Sequence, residues 1–163
     1  MSGIFFTVTE ETRNPDKSII RPTRGGYPHV TLVYTGKKVG VHKLSAIASD
    51  AFITWMEDSR TGTFALPKLV LTSENAHINS FYEERSKSNR FDVLLGLTVK
   101  DIETVKMLRT EFVGTGPETK EYSMHPPHVT HSIHYTRKDA EAALASICAE
   151  MPITVMVTGY TID

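Results

Sequence analysis

Pro28-His29-Val30-Thr31 returns letter for letter as Pro127-His128-Val129-Thr130 near the other end of the chain. Identity over four letters carries little weight alone; the surroundings of the two copies supply the rest. Each copy opens an alternating apolar run, Val30, Leu32 and Val33 in the first and Val129 and Ile133 in the second. A helical pattern follows each run. Successive side chains of an extended strand point to opposite faces. His29 and Thr31 therefore share one face, as do His128 and Thr130, while Val30 and Val129 point the other way into a core. Each copy sets an imidazole beside a hydroxyl on one sheet face.

Working outward, Gly3 to Thr9 reads as a first β-strand, and Asn14 to Gly26 carries the Pro and Gly signals of a long loop. That loop delivers Arg21, Arg24 and Tyr27 next to His29, and it reads equally as a binding loop or as a solvated surface loop. Val41 to Asp58 has helical spacing, with Trp55 in the core. Leu66 to Ile78 and Phe91 to Val99 read as a strand pair closed by a polar turn over Glu83 to Arg90. Asp101 is placed to cap a helix through Phe112 that Gly114 stops. A second long loop, Thr115 to Pro127, ends at the second motif and contains Tyr122. Thr136 with Asp139 resembles a capping box opening a third helix, and Ile153, Val155 and Val157 form a closing strand.

Strands outnumber helices and include a hairpin, which favours an α+β fold with antiparallel sheets over a parallel nucleotide-binding sheet. The segment after each motif repeats strand–helix–strand. The expectation is one domain over residues 1–163, bilobal and pseudo-twofold, with two antiparallel sheets flanked by helices and a central active-site cleft.

The 163 residues, 40% apolar and 23% charged, fit a globular domain, and the net charge of −1 gives no mandate to hold long nucleic acid. No apolar run reaches the length of a membrane span. Met1 to Glu11 lacks the features of a secretory signal, and Cys148 is the only cysteine, set among apolar neighbours as a structural thiol. The expected location is the cytoplasm, or a host's cytoplasm for a viral protein. Oligomeric state is not legible.

Two imidazoles facing one site supply a general base and a general acid, since an unperturbed histidine titrates near neutral pH. Hydroxyl donors beside them suit the non-bridging oxygens of a phosphoryl group. The parts describe phosphodiester cleavage with no cofactor and no metal. A rival reading takes His125, His128, His131 and His134 as a metal tract. Pro126-Pro127 rules out a continuous helix through it, and on a strand His131 faces away from His128 and His134, so the four do not converge on one ion. His134 is expected on the face of His128 and Thr130, lining the cleft. Isolated His42 and His77 read as structural. No Gly-x-Ser-x-Gly elbow, phosphate-binding Gly-rich loop or His-Glu-x-x-His motif competes.

On these residues the chain resembles the two-histidine (2H) phosphoesterase superfamily, which includes the LigT-like and cyclic phosphodiesterase-like proteins. Its signature is a pair of His-hydrophobic-Thr/Ser motifs on strands of two similar lobes. His29-Val30-Thr31 and His128-Val129-Thr130 match it without departure, and the element order is similar along essentially the whole chain. The resemblance implies His29 and His128 as acid and base, in an order left open, and Thr31 and Thr130 as phosphate anchors.

Compact size and near-zero charge favour a small nucleotide as the partner. Tyr27 is the leading base-stacking candidate and Arg24 the leading added phosphate contact, with Phe5, Phe6, Tyr34, Tyr122 and Tyr135 as further aromatics. The bare form is similar to viral and phage enzymes that destroy cyclic di- or oligonucleotide immune signals, which makes such a signal the leading substrate. Nucleoside or RNA 2′,3′-cyclic phosphates come second. A protein that captures a cyclic nucleotide without cleaving it is the alternative of another class; the intact acid–base pair argues against it.

Overall fold

The computed structural model describes residues 3–11, 28–34, 50, 54, 67–113 and 126–162. Six strands and two helices are formed by these residues: β1 (Gly3–Glu10), β2 (His29–Tyr34), β3 (Lys68–Glu83), β4 (Ser88–Leu97), α1 (Val99–Val113), β5 (His128–His134), α2 (Arg137–Cys148) and β6 (Ile153–Ile162). The fold is α+β, and every strand pairing is antiparallel. Of the helix expected over Val41 to Asp58, only Asp50 and Thr54 are described. Both are helical, and the Thr54 hydroxyl donates to the Asp50 carbonyl at 3.1 Å. The loop expected over Asn14 to Gly26, and all of the loop expected over Thr115 to Pro127 except Pro126 and Pro127, lie outside the described residues.

The strands run in the order β1-β2-β5-β4-β3-β6 and close on themselves. Exchanging β1 with β4, β2 with β5 and β3 with β6 maps this circuit onto itself, which is the expected pseudo-twofold. The two expected sheets are joined edge to edge, through β3 with β6 and through β2 with β5. The second seam is slight: its register is the single pair Val30 with Val129. The two motif valines thus meet across the symmetry axis.

The interior follows from strand alternation. Ile4, Phe6 and Val8 of β1, Val30 of β2, Leu69 and Leu71 of β3, Val129 of β5, and Val155 and Val157 of β6 are all at most 2% exposed. Helix α1 adds Val105 and Leu108, and α2 adds Ala140 and Ile147. Burying side chains of this size contributes roughly 1.5–3 kcal/mol each.

Three details depart from the sequence expectation. Strand alternation should end where the apolar pattern ends, yet β3 and β4 run on to a turn over 84–87, where Lys87 takes φ 52°. Phe81 pairs with Arg90, and Glu83 with Ser88. This ribbon lies beyond the core, so no apolar face announces it. Helix α1 is capped by Thr98, whose Oγ1 accepts from the Asp101 backbone N–H at 3.3 Å. Asp101 is not the cap; its Oδ2 accepts from the Val70 N–H at 2.7 Å and ties the helix to β3. Cys148 ends α2 half-buried rather than fully enclosed. The capping at Thr136 is as expected, with its hydroxyl accepting from the Asp139 N–H at 3.2 Å.

Candidate active site

Both motif strands break register at the same place. On β2, Thr31 pairs with Phe5 and Val33 with Ile4, which leaves Leu32 unpaired. On β5, Thr130 pairs with Leu94 and Ser132 with Val93, which leaves His131 unpaired. Each is a β-bulge directly after the motif threonine, a device that bends the strand and re-aims its side chains. Ahead of the bulges alternation holds: Val30 and Val129 are 0% exposed, and the His and Thr of each motif take the opposite face. Antiparallel order around Val30 and Val129 sets His29 on the side of Thr130 and Thr31 on the side of His128.

The four side chains converge. His29, Thr31, His128 and Thr130 all line one cavity of about 340 Å³. Backbone anchors hold them there. The Val8 N–H donates to the Pro28 carbonyl at 3.1 Å, fixing the entry to the first motif. The His29 ring stands edge-on to Phe5, centroids 5.1 Å apart and planes at 74°. The Pro126 carbonyl lies 2.8 Å from His128 Nδ1. A carbonyl can only accept, so Nδ1 carries the proton and a neutral His128 keeps its lone pair on Nε2. Gly96 is the cross-strand partner of His128. A Cβ at Gly96 would overlap the Asn75 carbonyl, because residues 73–76 bulge over this point and Asn75 Nδ2 donates to the Leu97 carbonyl at 2.8 Å.

The bulge at His131 corrects the expectation for His134. Strand parity resets there, so His134 pairs with Phe91 on the face opposite Thr130. It is not among the residues lining the cavity. Its Nε2 lies 2.7 Å from Ser132 Oγ, which lies 3.0 Å from His131 Nδ1. His77 borders an adjoining space of about 230 Å³ that His128 also touches, with its Nδ1 3.2 Å from the Asn75 carbonyl. No three His, Cys, Asp or Glu side chains cluster as metal ligands among the described residues. Arg24, Tyr27 and Tyr122, the expected substrate contacts, fall outside those residues, as do Arg21, His42, Trp55 and His125. Of the other aromatics, Phe5 reaches the cavity, Phe6 is buried at 1%, and exposed Tyr135 donates to Glu83 Oε1 at 3.4 Å.

Sequence reasoning missed part of the wall: Phe81, Arg90 and Asp92 of the ribbon, and Lys106 and Arg109 of α1. Arg90 donates through Nε and Nη2 to Asp92 at 2.7 and 2.9 Å and through Nη1 to Glu83 at 2.8 Å. Its guanidinium also lies 5.1 Å from the centre of the Phe81 ring. Burial works against the Arg90 charge, but the hydrogen bonds to Asp92 and then Glu83 outweigh it and raise its pKa above the ordinary value. The Arg-x-Asp spacing puts both on one face of a strand, but the expected strand began at Phe91 and left Arg90 in the turn. Lys106 and Arg109 carry no such signal, because basic residues on the flank of an amphipathic helix usually face solvent.

Two imidazoles and two hydroxyls, from strands related by a twofold, thus stand on the wall of one cavity. No protein-family model matches the chain, and no curated protein sequence does. Among solved structures, the chain is similar to Kluyveromyces marxianus Usb1 with uridine monophosphate, at TM-score 0.46 and 12% identity over 90% of this chain and 81% of that one. It is similar also to a structure of Kluyveromyces marxianus Usb1, at TM-score 0.45 and 14% identity over 98% of this chain and 97% of the other.

Proposed function

We propose that the chain is a 2H-type phosphoesterase, a metal-independent phosphodiesterase acting on a small nucleotide. The pairing of Val30 with Val129 carries the reading, because it lays both His-x-Thr couples along one cavity. An in-line displacement at phosphorus needs a base on the attacking side and an acid on the leaving side. One of His29 and His128 takes the proton of the attacking hydroxyl or water, while the other protonates the departing oxygen. Thr31 and Thr130 donate to the non-bridging oxygens. The cavity, about 340 Å³, is at the small end of ligand pockets, which supports a substrate of nucleotide size.

The narrower reading is a cyclic di- or oligonucleotide signal, cleaved by a virus or phage to blunt host immunity. Its rival within the same chemistry is a nucleoside or RNA-end 2′,3′-cyclic phosphate. The test incubates the protein, in excess chelator, with cyclic dinucleotides, cyclic trinucleotides and 2′,3′-cyclic AMP, and follows products by chromatography. Cleavage is expected, at a rate the chelator leaves unchanged, and the preferred substrate separates the two readings. Tight binding with every ligand recovered intact would replace the enzyme with a capture protein.

A further inference from the structure

His128 stands between two spaces. The cavity of about 340 Å³ that holds both His-Thr couples and the neighbouring space of about 230 Å³ share Pro126 and His128 in their walls. The smaller space is made by a break in β3. Thr72 pairs with Gly96 and His77 with Leu94, so residues 73–76 stand against Leu95 alone. An ordinary bulge inserts one residue; this excursion is larger. It is pinned in place, because Asn75 Nδ2 donates to the Leu97 carbonyl at 2.8 Å and His77 Nδ1 donates to the Asn75 carbonyl at 3.2 Å. Its backbone passes over Gly96, the cross-strand partner of His128, where only a residue without a side chain permits so close an approach. Glu74 and Asn75 of the excursion thereby become wall, and Ile102 of α1 adds apolar surface.

These walls select an occupant. No Lys or Arg is among the described lining residues, so nothing there draws in a phosphate. The one carboxylate is that of exposed Glu74, which makes no hydrogen bond or ion pair among the described residues. A carboxylate only accepts hydrogen bonds. Apolar surface from Ile102 and Pro126 beside such an acceptor suits a flat base with N–H donors on its edge. The space is smaller than a pocket for a whole ligand, which fits one part of a substrate whose remainder lies past His128. We infer that it is a base subsite, so that the substrate carries a nucleoside on each side of the cleaved phosphate. The base bound there bears an amino group, and guanine, with adjacent N1–H and N2–H donors, fits best. This rests on the phosphodiesterase reading and deepens it. An internucleotide linkage, as in a cyclic dinucleotide, meets the requirement. A nucleoside 2′,3′-cyclic phosphate does not, because both of its ester oxygens belong to one ribose.

The probes are guanylyl-(3′→5′)-guanosine, guanosine 3′-methyl phosphate and guanosine 5′-methyl phosphate, which carry the same single diester charge. They are titrated by calorimetry, in chelator, into the full chain with His29→Ala, which holds them intact. The dinucleotide should bind about ten- to a hundredfold more tightly than either ester, the worth of one recognised base. Glu74→Ala removes an exposed side chain that the fold does not need. It should cut that advantage to about threefold or less and weaken at most one of the esters. Ile102→Phe, which narrows the space, should cut the advantage similarly. Either ester matching the dinucleotide, an advantage that survives both substitutions, or no measurable binding of the dinucleotide would each overturn the subsite. So would equal losses for all three ligands in Glu74→Ala. Turnover by the wild type tells the two readings apart. Cleavage of 2′,3′-cyclic AMP with no dinucleotide advantage sinks the subsite alone. A Glu74-dependent advantage with no turnover of any nucleotide sinks the enzyme and leaves the subsite to a capture protein.

Discussion

His128 depends on a carbonyl: the contact from Nδ1 to Pro126 fixes which nitrogen is basic. On the proposed mechanism, removing either imidazole should be severe. His29→Ala and His128→Ala are each expected to lower kcat by about two to four orders of magnitude, with loss of one limb of the pH–rate profile, as measured by initial rates across pH. Thr31→Val and Thr130→Val should cost less, about tenfold to a hundredfold, since a second hydroxyl remains. Arg90 matters for stability instead. Arg90→Met leaves Asp92 and Glu83 facing each other without their shared cation and should cost about 2–4 kcal/mol in urea unfolding. Arg90→Lys should recover only part of this, because an ammonium cannot reproduce the two-pronged contact with Asp92. The two histidines were legible from the repeat. The Arg90 cluster was not, because its partner Glu83 sits on the neighbouring strand, across a pairing no local pattern specifies.

Elements carry the side chains to the site, and their ends obey local rules. Thr136→Ala removes the hydroxyl that accepts from the Asp139 N–H, and should cost about 1 kcal/mol, read as a fall of a few degrees in Tm with kcat intact. Asp101→Ala should cost about 1–3 kcal/mol, since it leaves the Val70 N–H without its carboxylate. The Thr136 cap was readable because the donor lies three residues away in the chain. The role of Asp101 was misread because its partner is on β3, and the first helical turn therefore begins at Thr98. The two bulges are the same lesson at the strands. Alternation counted through His131 puts His134 in the cleft; the register break turns it out.

For the molecule as a whole, the slight seam between β2 and β5 governs the distance between the two halves of the site. Val30→Ala should lower stability by about 2 kcal/mol and also depress kcat, because that one pair sets β2 against β5 and so the two His-Thr couples against each other. Val157→Ala is the control. It deletes the same volume from a site of equal burial on β6, should cost similar stability, and should leave kcat close to wild type. Measuring both variants by denaturation and turnover separates the seam's mechanical role from ordinary core packing.

The amino-acid order by itself determined the class of fold, the two motif strands, which of their faces is polar, and the cap of α2, because each follows from contacts within a few residues. Tertiary structure decided the rest. Which strand edges meet, where the ladder slips by a residue, and which cations of α1 border the cavity all depend on groups far apart in the chain. Those pairings are chosen by how the whole apolar interior closes, and a local pattern of side chains holds no record of that choice.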